Sequence, residues 1–167
     1  MKPAMKPVLI ALGLLAVAAP AWSQTASAPS TPPAPAPTYG APIGLEAAQA
    51  LIDKAIEAAR AGGFRLAVAI VEPSGELVAF ARMDDTQYGS ILVAQKKATT
   101  AARYRLATSV SEQRTQAGRI VSLANEDSLP IAGGVPIVVD GRIVGAIGVS
   151  GASAAEDDQV ARAALGL

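Results

Sequence analysis

The chain has 167 residues, of which 51% are hydrophobic and 4% aromatic, and its 14 Lys and Arg residues balance 14 Asp and Glu residues. This length and composition indicate one small globular domain with an attached segment rather than two domains. The basic residues are dispersed along the chain, which argues against a nucleic-acid-binding protein. The sequence contains no cysteine and no histidine, so the core alone must stabilise the domain, without disulfides.

The first 23 residues have the three parts of an export signal. Lys2 and Lys6 form a positive n-region, residues 8–19 are an unbroken run of apolar residues and glycine, and AWS at 21–23 is a small-x-small cleavage site. We expect cleavage before Gln24 and a periplasmic or secreted protein. An uncleaved membrane anchor is disfavoured, because the apolar run is shorter than the roughly 20 residues of a spanning helix. The mature chain is therefore expected to have no transmembrane segment. It would carry 12 basic and 14 acidic side chains, a formal net charge of −2.

Residues 24–43 are rich in Pro, Ala, Ser and Thr. This composition cannot bury enough apolar surface to offset the ordering of the chain, and it favours polyproline II conformations. The segment is predicted to be a solvated linker, with recognition of its prolines by a partner as the alternative.

The folded domain, residues 44–167, is expected to begin with a helix and a hairpin. Between residues 44 and 63 apolar side chains recur at three- and four-residue spacing, which predicts an amphipathic helix that ends at the two glycines. The apolar runs Arg65–Val71 and Leu77–Met83 flank a Pro-Ser-Gly turn, which predicts that the two strands pair.

Two more helices are predicted in the middle of the domain. Residues 89–105, GSILVAQKKATTAARYR, have a helical pattern whose small residues allow close approach to a neighbouring element. Ser111 is a good N-cap and predicts another helix that runs to about Ala124.

The C-terminal part is predicted to form a second hairpin and a last helix. Pro136–Val139 and Arg142–Val149 are strands joined by an Asp-Gly pair, which favours a type I′ turn. Ser153 and Glu156 have the spacing of a capping box at a helix start. The order α-β-β-α-α-β-β-α, with hairpins, predicts an α+β domain with a mainly antiparallel sheet and helices packed on it.

Three segments, taken together and in this order, carry a resemblance to a known family. They are LAVAIVEPSGELVAFARMDD at 66–85, GSILVAQKKATTAAR at 89–103 and GGVPIVVDGRIVGAIGVSGASAAEDDQVA at 133–161. With them, Leu45 to Leu167 resembles the GlcG/HbpS family, a heme-binding-protein-like group related to the C-terminal domain of PduO-type cobalamin adenosyltransferases.

The resemblance implies a profilin-like layered fold, with a five-stranded antiparallel sheet and helices on both faces, that assembles into dimers or larger homo-oligomers. Members of the family bind heme or corrinoids, some are reported as heme-degrading or as iron-responsive sensors, and many have no assigned activity. The family therefore predicts fold better than function, with heme or another tetrapyrrole as the implied small-molecule ligand.

Glycines near the C-terminus are candidates for a ligand site. Gly133 and Gly134, ahead of Pro136, would let the backbone approach a ligand or a neighbouring subunit closely. Ser150 and Gly151 lie just before a helix N-terminus, where an anionic group such as a propionate is favoured. The alternative is that these glycines only permit tight packing of strands and helices.

Basic side chains in the family-like segments are candidates for holding carboxylates or propionates. Lys97 is the main candidate, and Arg82 and Arg103 would join it if the second strand and the second helix pack side by side. The alternative is that the basic residues other than Lys97 form a solvated helix face.

Strong ligands for heme iron or cobalt are nearly absent from the sequence, which has no histidine or cysteine. A porphyrin would be held by apolar contacts and propionate pairing, or by a weak or unusual ligand from the set Tyr39, Tyr88, Tyr104, Met83 and the Lys97 amine. Asp84 and Asp85 lack a third carboxylate nearby, so a loop pair is expected rather than a metal site.

Three functions therefore stay open. The first is an exported small-ligand-binding protein, with heme or another tetrapyrrole as ligand, that works as a homo-oligomer. The second is an enzyme that acts on a small carboxylate or degrades heme, with Ser150 in an oxyanion-like pocket and Lys97 as its base. The third is a structural or accessory oligomer that binds no small ligand.

Overall fold

The computed structural model of the protein describes residues 35–167, so the predicted export signal and residues 24–34 of the predicted linker lie outside the described residues. The helices are α1 (Leu45–Ala61), α2 (Gly89–Tyr104), α3 (Thr108–Gln116) and α4 (Ala154–Leu165), with a 3₁₀ helix at Ile120–Ala124. The strands are β1 (Thr38–Tyr39), β2 (Ala67–Val71), β3 (Leu77–Arg82), β4 (Gly134–Val139) and β5 (Arg142–Ser150). The predicted hairpins and the predicted order of helices are confirmed.

The five strands form one mixed sheet. β5 lies between β4 on one edge and β2 on the other, and β3 is paired to the outer edge of β2. These four strands are antiparallel, but β1 pairs parallel to the start of β5. The expectation of an antiparallel sheet is therefore corrected for one strand, because β1 enters the sheet from the N-terminal segment rather than through a hairpin.

Helices cover both faces of the sheet, and β2 is therefore buried on both sides. Val68 and Ile70 point into a core formed with α1 and α4, whereas Ala67, Ala69 and Val71 face α2. The side of the sheet toward α2 is rich in alanine and glycine, with Val71 and Phe80 as larger residues. This composition brings α2 unusually close to the sheet, and the closeness determines the surroundings of the candidate site.

The strand β1 lies inside the segment whose composition predicts a linker. The Tyr39 hydroxyl donates hydrogen bonds to the carbonyls of Ala102 and Arg103, and the Arg105 guanidinium lies 5.5 Å from the centre of the Tyr39 ring. One aromatic residue in a Pro/Ala-rich tract thus attaches the tract to the end of α2.

The helix predicted from Ser111 to about Ala124 is two elements. α3 begins three residues earlier, at Thr108, and the chain turns at Gly118, whose φ of +99° ends the helical path. The 3₁₀ helix follows and is held to α3 by a hydrogen bond of 2.9 Å between the hydroxyls of Thr115 and Ser122. The interruption creates a concave surface that one continuous helix would lack.

The capping box predicted at the start of α4 is confirmed. The Ser153 side chain accepts a hydrogen bond from the Glu156 amide, and the Glu156 carboxylate accepts one from the Ser153 amide at 2.9 Å. Among the helices within residues 35–167, none combines the length and the apolar character that crossing a bilayer requires.

Candidate functional site

Lys97, the main candidate for holding an anion, is buried in an internal ion pair. Only 1% of its surface is exposed, and its Nζ donates to Asp157 Oδ2 at 2.7 Å and to the Val149 carbonyl at 3.0 Å. Asp157, in the first turn of α4, is 2% exposed. The ion pair therefore links α2, the end of β5 and α4, and the charge of Lys97 is used inside the protein.

Gly133 and Gly134 make room for α2 and for the Lys97 side chain. A Cβ at Gly133, whose φ is +118°, would lie 2.9 Å from Lys97 Nζ and 2.7 Å from the Val149 carbonyl oxygen. A Cβ at Gly134 would lie 2.3 Å from the Lys97 carbonyl oxygen. Of the two alternatives for these glycines, the contacts favour tight packing over close approach of a ligand.

Backbone amides at the start of α4, the expected anion site, already have partners within the chain. Ala152 donates to Asp157 Oδ1 at 3.0 Å, and Ser153 donates to Glu156. Gly151, with a φ of +152°, turns the chain from β5 toward the helix. The carboxylates of Asp157 and Glu156 thus occupy the position where an anionic ligand was expected.

The ionisation of Asp157 reflects its burial. Burial raises the pKa of Asp157 above its ordinary value, while the Lys97 ammonium and the amides of Ala152 and Gly151 oppose the rise. At Glu156, the hydrogen bonds from the side chain and amide of Ser153 lower the pKa. Removal from water therefore has its main effect on the carboxylate that pairs with Lys97.

The structure gives Ser150 and Lys97 different hydrogen-bond partners. The Ser150 hydroxyl lies 3.2 Å from the Ser90 hydroxyl, and both are buried. Lys97 instead contacts Asp157 and the Val149 carbonyl, and within residues 35–167 it makes no hydrogen bond to Ser150. A buried ammonium paired with a carboxylate is poorly placed to act as a base toward this hydroxyl.

The two candidate arginines lie apart from Lys97. Arg103 donates to the Ser74 carbonyl at 2.7 Å and lies 3.6 Å from Glu76, so it fastens the β2–β3 turn to α2. Arg82 ends β3, with its guanidinium 5.2 Å from the centre of the Tyr88 ring. The prediction that basic side chains gather around Lys97 therefore does not match their placement.

Pro136, the remaining candidate, lines an apolar groove rather than the surroundings of Lys97. The groove has a volume of about 510 Å³ and lies between α1, the edge strand β4 and the C-terminus of α4.

Asp84 and Asp85 lie in the turn after β3, where Asp85 has a φ of +63°. Within the described part of the chain, no group of three or more acidic side chains is arranged to hold a metal ion.

A different concave surface combines apolar and cationic side chains. This α2–α3 pocket, of about 380 Å³, lies between the end of α2, α3 and the 3₁₀ helix. Its walls include Tyr104, Leu106, Arg114, Arg119, Val121 and Pro130. Arg114 and Arg119 are exposed, and neither forms an ion pair with any residue of 35–167.

The walls of the α2–α3 pocket are fixed by hydrogen bonds. Thr100 on α2 accepts one from the Leu129 amide at 2.8 Å, which holds the loop after the 3₁₀ helix against α2. Asn125 donates a short hydrogen bond to the Tyr104 hydroxyl. Three apolar side chains of the 3₁₀ helix, Ile120, Val121 and Leu123, are 62–68% exposed beside the pocket. Sequence reasoning missed this site because it predicted one helix across it.

Known proteins resemble this chain along almost the whole domain. A family model described as "Haem degrading protein HbpS-like" matches residues 43–166. GlcG of Escherichia coli strain K12 is 39% identical over 108 residues, which cover 65% of this chain and 81% of GlcG.

Two crystal structures share the fold. HbpS has a TM-score of 0.71 and 33% identity, covering 77% of this chain and 92% of HbpS. PduOC in complex with heme has a TM-score of 0.68 and 27% identity, covering 75% of this chain and 94% of PduOC. The match to the family model extends from the start of α1 to the end of α4 and includes the three family-like segments. The chain therefore belongs to the GlcG/HbpS family.

Proposed function

We propose that the protein binds heme or another anionic tetrapyrrole in the α2–α3 pocket. The family and the heme complex of PduOC support a ligand of this class. The observation that carries the proposal is the pair Arg114 and Arg119, two cations without ion-pair partners in residues 35–167, on the walls of a pocket that also has apolar side chains.

The chemistry of the pocket matches an amphiphilic ring with carboxylates. Ligand sites are mostly apolar, with a few polar groups that fix orientation. Leu106, Val121 and Pro130 supply apolar contact for a macrocycle. The arginine side chains can each form charge-assisted hydrogen bonds to a propionate. The exposed apolar residues of the 3₁₀ helix extend the contact beyond the pocket, which at about 380 Å³ covers only part of a large ring.

Other concave surfaces fit this ligand less well. The groove beside β4 is apolar and has one basic residue, Lys54, on its walls. The cavity beside Arg82 has three arginines but also Asp84 and Asp85, with little apolar surface. Of these surfaces, the α2–α3 pocket best pairs a substantial apolar wall with cations that no carboxylate on its walls offsets.

The weak iron ligands that the sequence left open differ in whether a bound heme could reach them. Of the weak iron ligands considered, Lys97 is buried in its ion pair and the Tyr39 hydroxyl is bonded to two carbonyls. Tyr104 lines the α2–α3 pocket with its hydroxyl at the wall. When bound, heme would supply the iron chemistry, while the chain binds the propionates, orients the ring and shields one face from water.

Titration of the full chain with hemin, followed by absorbance, tests the proposal. We expect saturable one-site binding that weakens about tenfold for each of Arg114→Gln and Arg119→Gln, equivalent to about 1.4 kcal/mol each. Arg60→Gln, which removes the same charge from a different cavity, is the matched control and should bind as the wild type does. Unaltered affinity in the double variant would overturn the assignment of the pocket.

We also propose that the protein is exported and works as a homo-oligomer. The basic, apolar and small-residue parts of the first 23 residues support export. Expression of the full chain in a bacterium should give a periplasmic protein whose N-terminus, measured by mass spectrometry, is Gln24. Retention of Met1 in the cytoplasmic fraction would contradict export. Oligomerisation is tested by analytical ultracentrifugation, and a monomer both with and without hemin would contradict it.

A further inference from the structure

We infer that Tyr104 ligates ferric heme iron through its phenolate oxygen and that Asn125 holds this oxygen in position. The inference rests on the proposed function and identifies the iron ligand and the preferred form of the tetrapyrrole. Phenolate is a known heme ligand in other proteins, and it favours the ferric state because the hard, anionic oxygen prefers the higher charge.

The position of Tyr104 suits this role. It is the last residue of α2, where Arg105 adopts a left-handed conformation with a φ of 53° and ends the helix. The Tyr104 side chain is 46% exposed, so solvent and ligands reach it, and it forms part of the pocket wall. The end of α2 therefore fixes the backbone of Tyr104, while its side chain forms part of the pocket wall.

Asn125 points a donor at the phenol oxygen. The Asn125 amide oxygen accepts a hydrogen bond from the Asp127 amide at 3.1 Å, which sets the side chain so that Nδ2 faces Tyr104. Outer hydrogen bonds of this kind orient metal ligands and tune them. Asn125 thus acts as a positioning residue for Tyr104.

The charged side chains on the pocket walls suit an anionic iron ligand. Arg114 and Arg119 line the same pocket, so two cations lie on the walls that would surround the phenolate and the propionates. No carboxylate side chain is part of the pocket wall. The negative phenolate therefore meets cations and an amide donor rather than like charge.

The ligand exchange balances without an added oxidant or reductant. Tyr104 transfers its hydroxyl proton to the hydroxide that it displaces from ferric iron, and the hydroxide leaves as water. The bond between the phenolate oxygen and iron replaces the bond between hydroxide and iron, and iron stays ferric. The same pocket would hold metal-free protoporphyrin through its propionates alone, since that ring offers Tyr104 no metal.

The experiment compares hemin with protoporphyrin IX on the full-length protein. We expect at least tenfold tighter binding of hemin, with a visible absorption band from phenolate-to-iron charge transfer. In Tyr104→Phe the band should disappear and hemin affinity should fall to that of protoporphyrin IX, while protoporphyrin affinity stays unchanged. In Asn125→Ala the band should shift and weaken while protoporphyrin affinity again stays the same.

Met83→Leu is the matched control, because Met83 is another candidate ligand and lines a cavity other than the α2–α3 pocket. Loss of the band in Met83→Leu, or its persistence in Tyr104→Phe, overturns the inference. Equal binding of both rings, unaffected by Tyr104→Phe, overturns the inference but leaves the proposed function standing. Binding of neither ring by the wild type overturns both.

Discussion

Of the substitutions that add one methyl group to the sheet, Gly148→Ala will destabilise the domain the most. A Cβ at Gly148 would lie 2.0 Å from the Ala94 carbonyl oxygen and 2.5 Å from the Ala98 amide nitrogen. Both atoms belong to the backbone of α2, so relief requires the whole helix to move. We expect a loss above the roughly 1–3 kcal/mol that overpacking costs where side chains can yield, measured by urea unfolding.

Gly89→Ala provides the control for this substitution. Gly89 is the first residue of α2, and a Cβ there would meet no atom within 4 Å. The change removes backbone freedom from the unfolded chain, so stability should stay equal or rise by up to about 1 kcal/mol. A Gly148→Ala protein as stable as Gly89→Ala would show that α2 does not lie on the sheet as described.

The glycine-rich segment shows what the sequence can and cannot predict. The hairpin at Asp140-Gly141 and the capping box at Ser153 depend on neighbours within a few residues, and both are confirmed. The purpose of Gly134 and Gly148 depends on α2, a helix far away in the chain that packs on these two paired positions. Sequence reasoning could only leave packing and ligand approach as alternatives.

The role of Lys97 could not be predicted from the sequence for a similar reason. Its partner Asp157 lies 60 residues away, in a stretch whose acidic residues are explained locally by the helix start. A lysine on a helix is normally solvated, and periodicity cannot show that this one is buried beside Gly133. The α2–α3 pocket could not be predicted either, because Gly118 divides a segment that otherwise has a helical pattern.

Replacing Lys97 with methionine will leave the Asp157 carboxylate buried without its cation. Breaking a buried pair by removing one partner costs about 3–5 kcal/mol, and we expect a loss of this size near neutral pH. Methionine keeps most of the length of the side chain, so the loss reports the charge more than the packing. Urea unfolding of the wild type and the variant at matched pH measures it.

The pH dependence separates an ion pair from packing. Burial already raises the pKa of Asp157, and without Lys97 the folded-state value rises further above the unfolded one. A carboxyl with a raised folded-state pKa stabilises the fold most below its unfolded pKa, about 4, and this contribution is lost as pH rises through the folded-state pKa. The deficit of Lys97→Met relative to the wild type should therefore shrink on acidification.

The deficit of Asp157→Asn relative to the wild type should not shrink on acidification, and this contrast completes the test. It leaves the Lys97 ammonium buried beside a neutral amide, with the Val149 carbonyl as its other acceptor. The substitution removes the carboxyl group whose protonation depends on pH, so lowering the pH cannot relieve this variant, and its deficit of about 3–5 kcal/mol near neutral pH should persist. Equal deficits in both variants at every pH would mean that the pair contributes through shape alone. A deficit that shrinks only in Lys97→Met would instead establish that the charge of Lys97 serves its ion pair with Asp157.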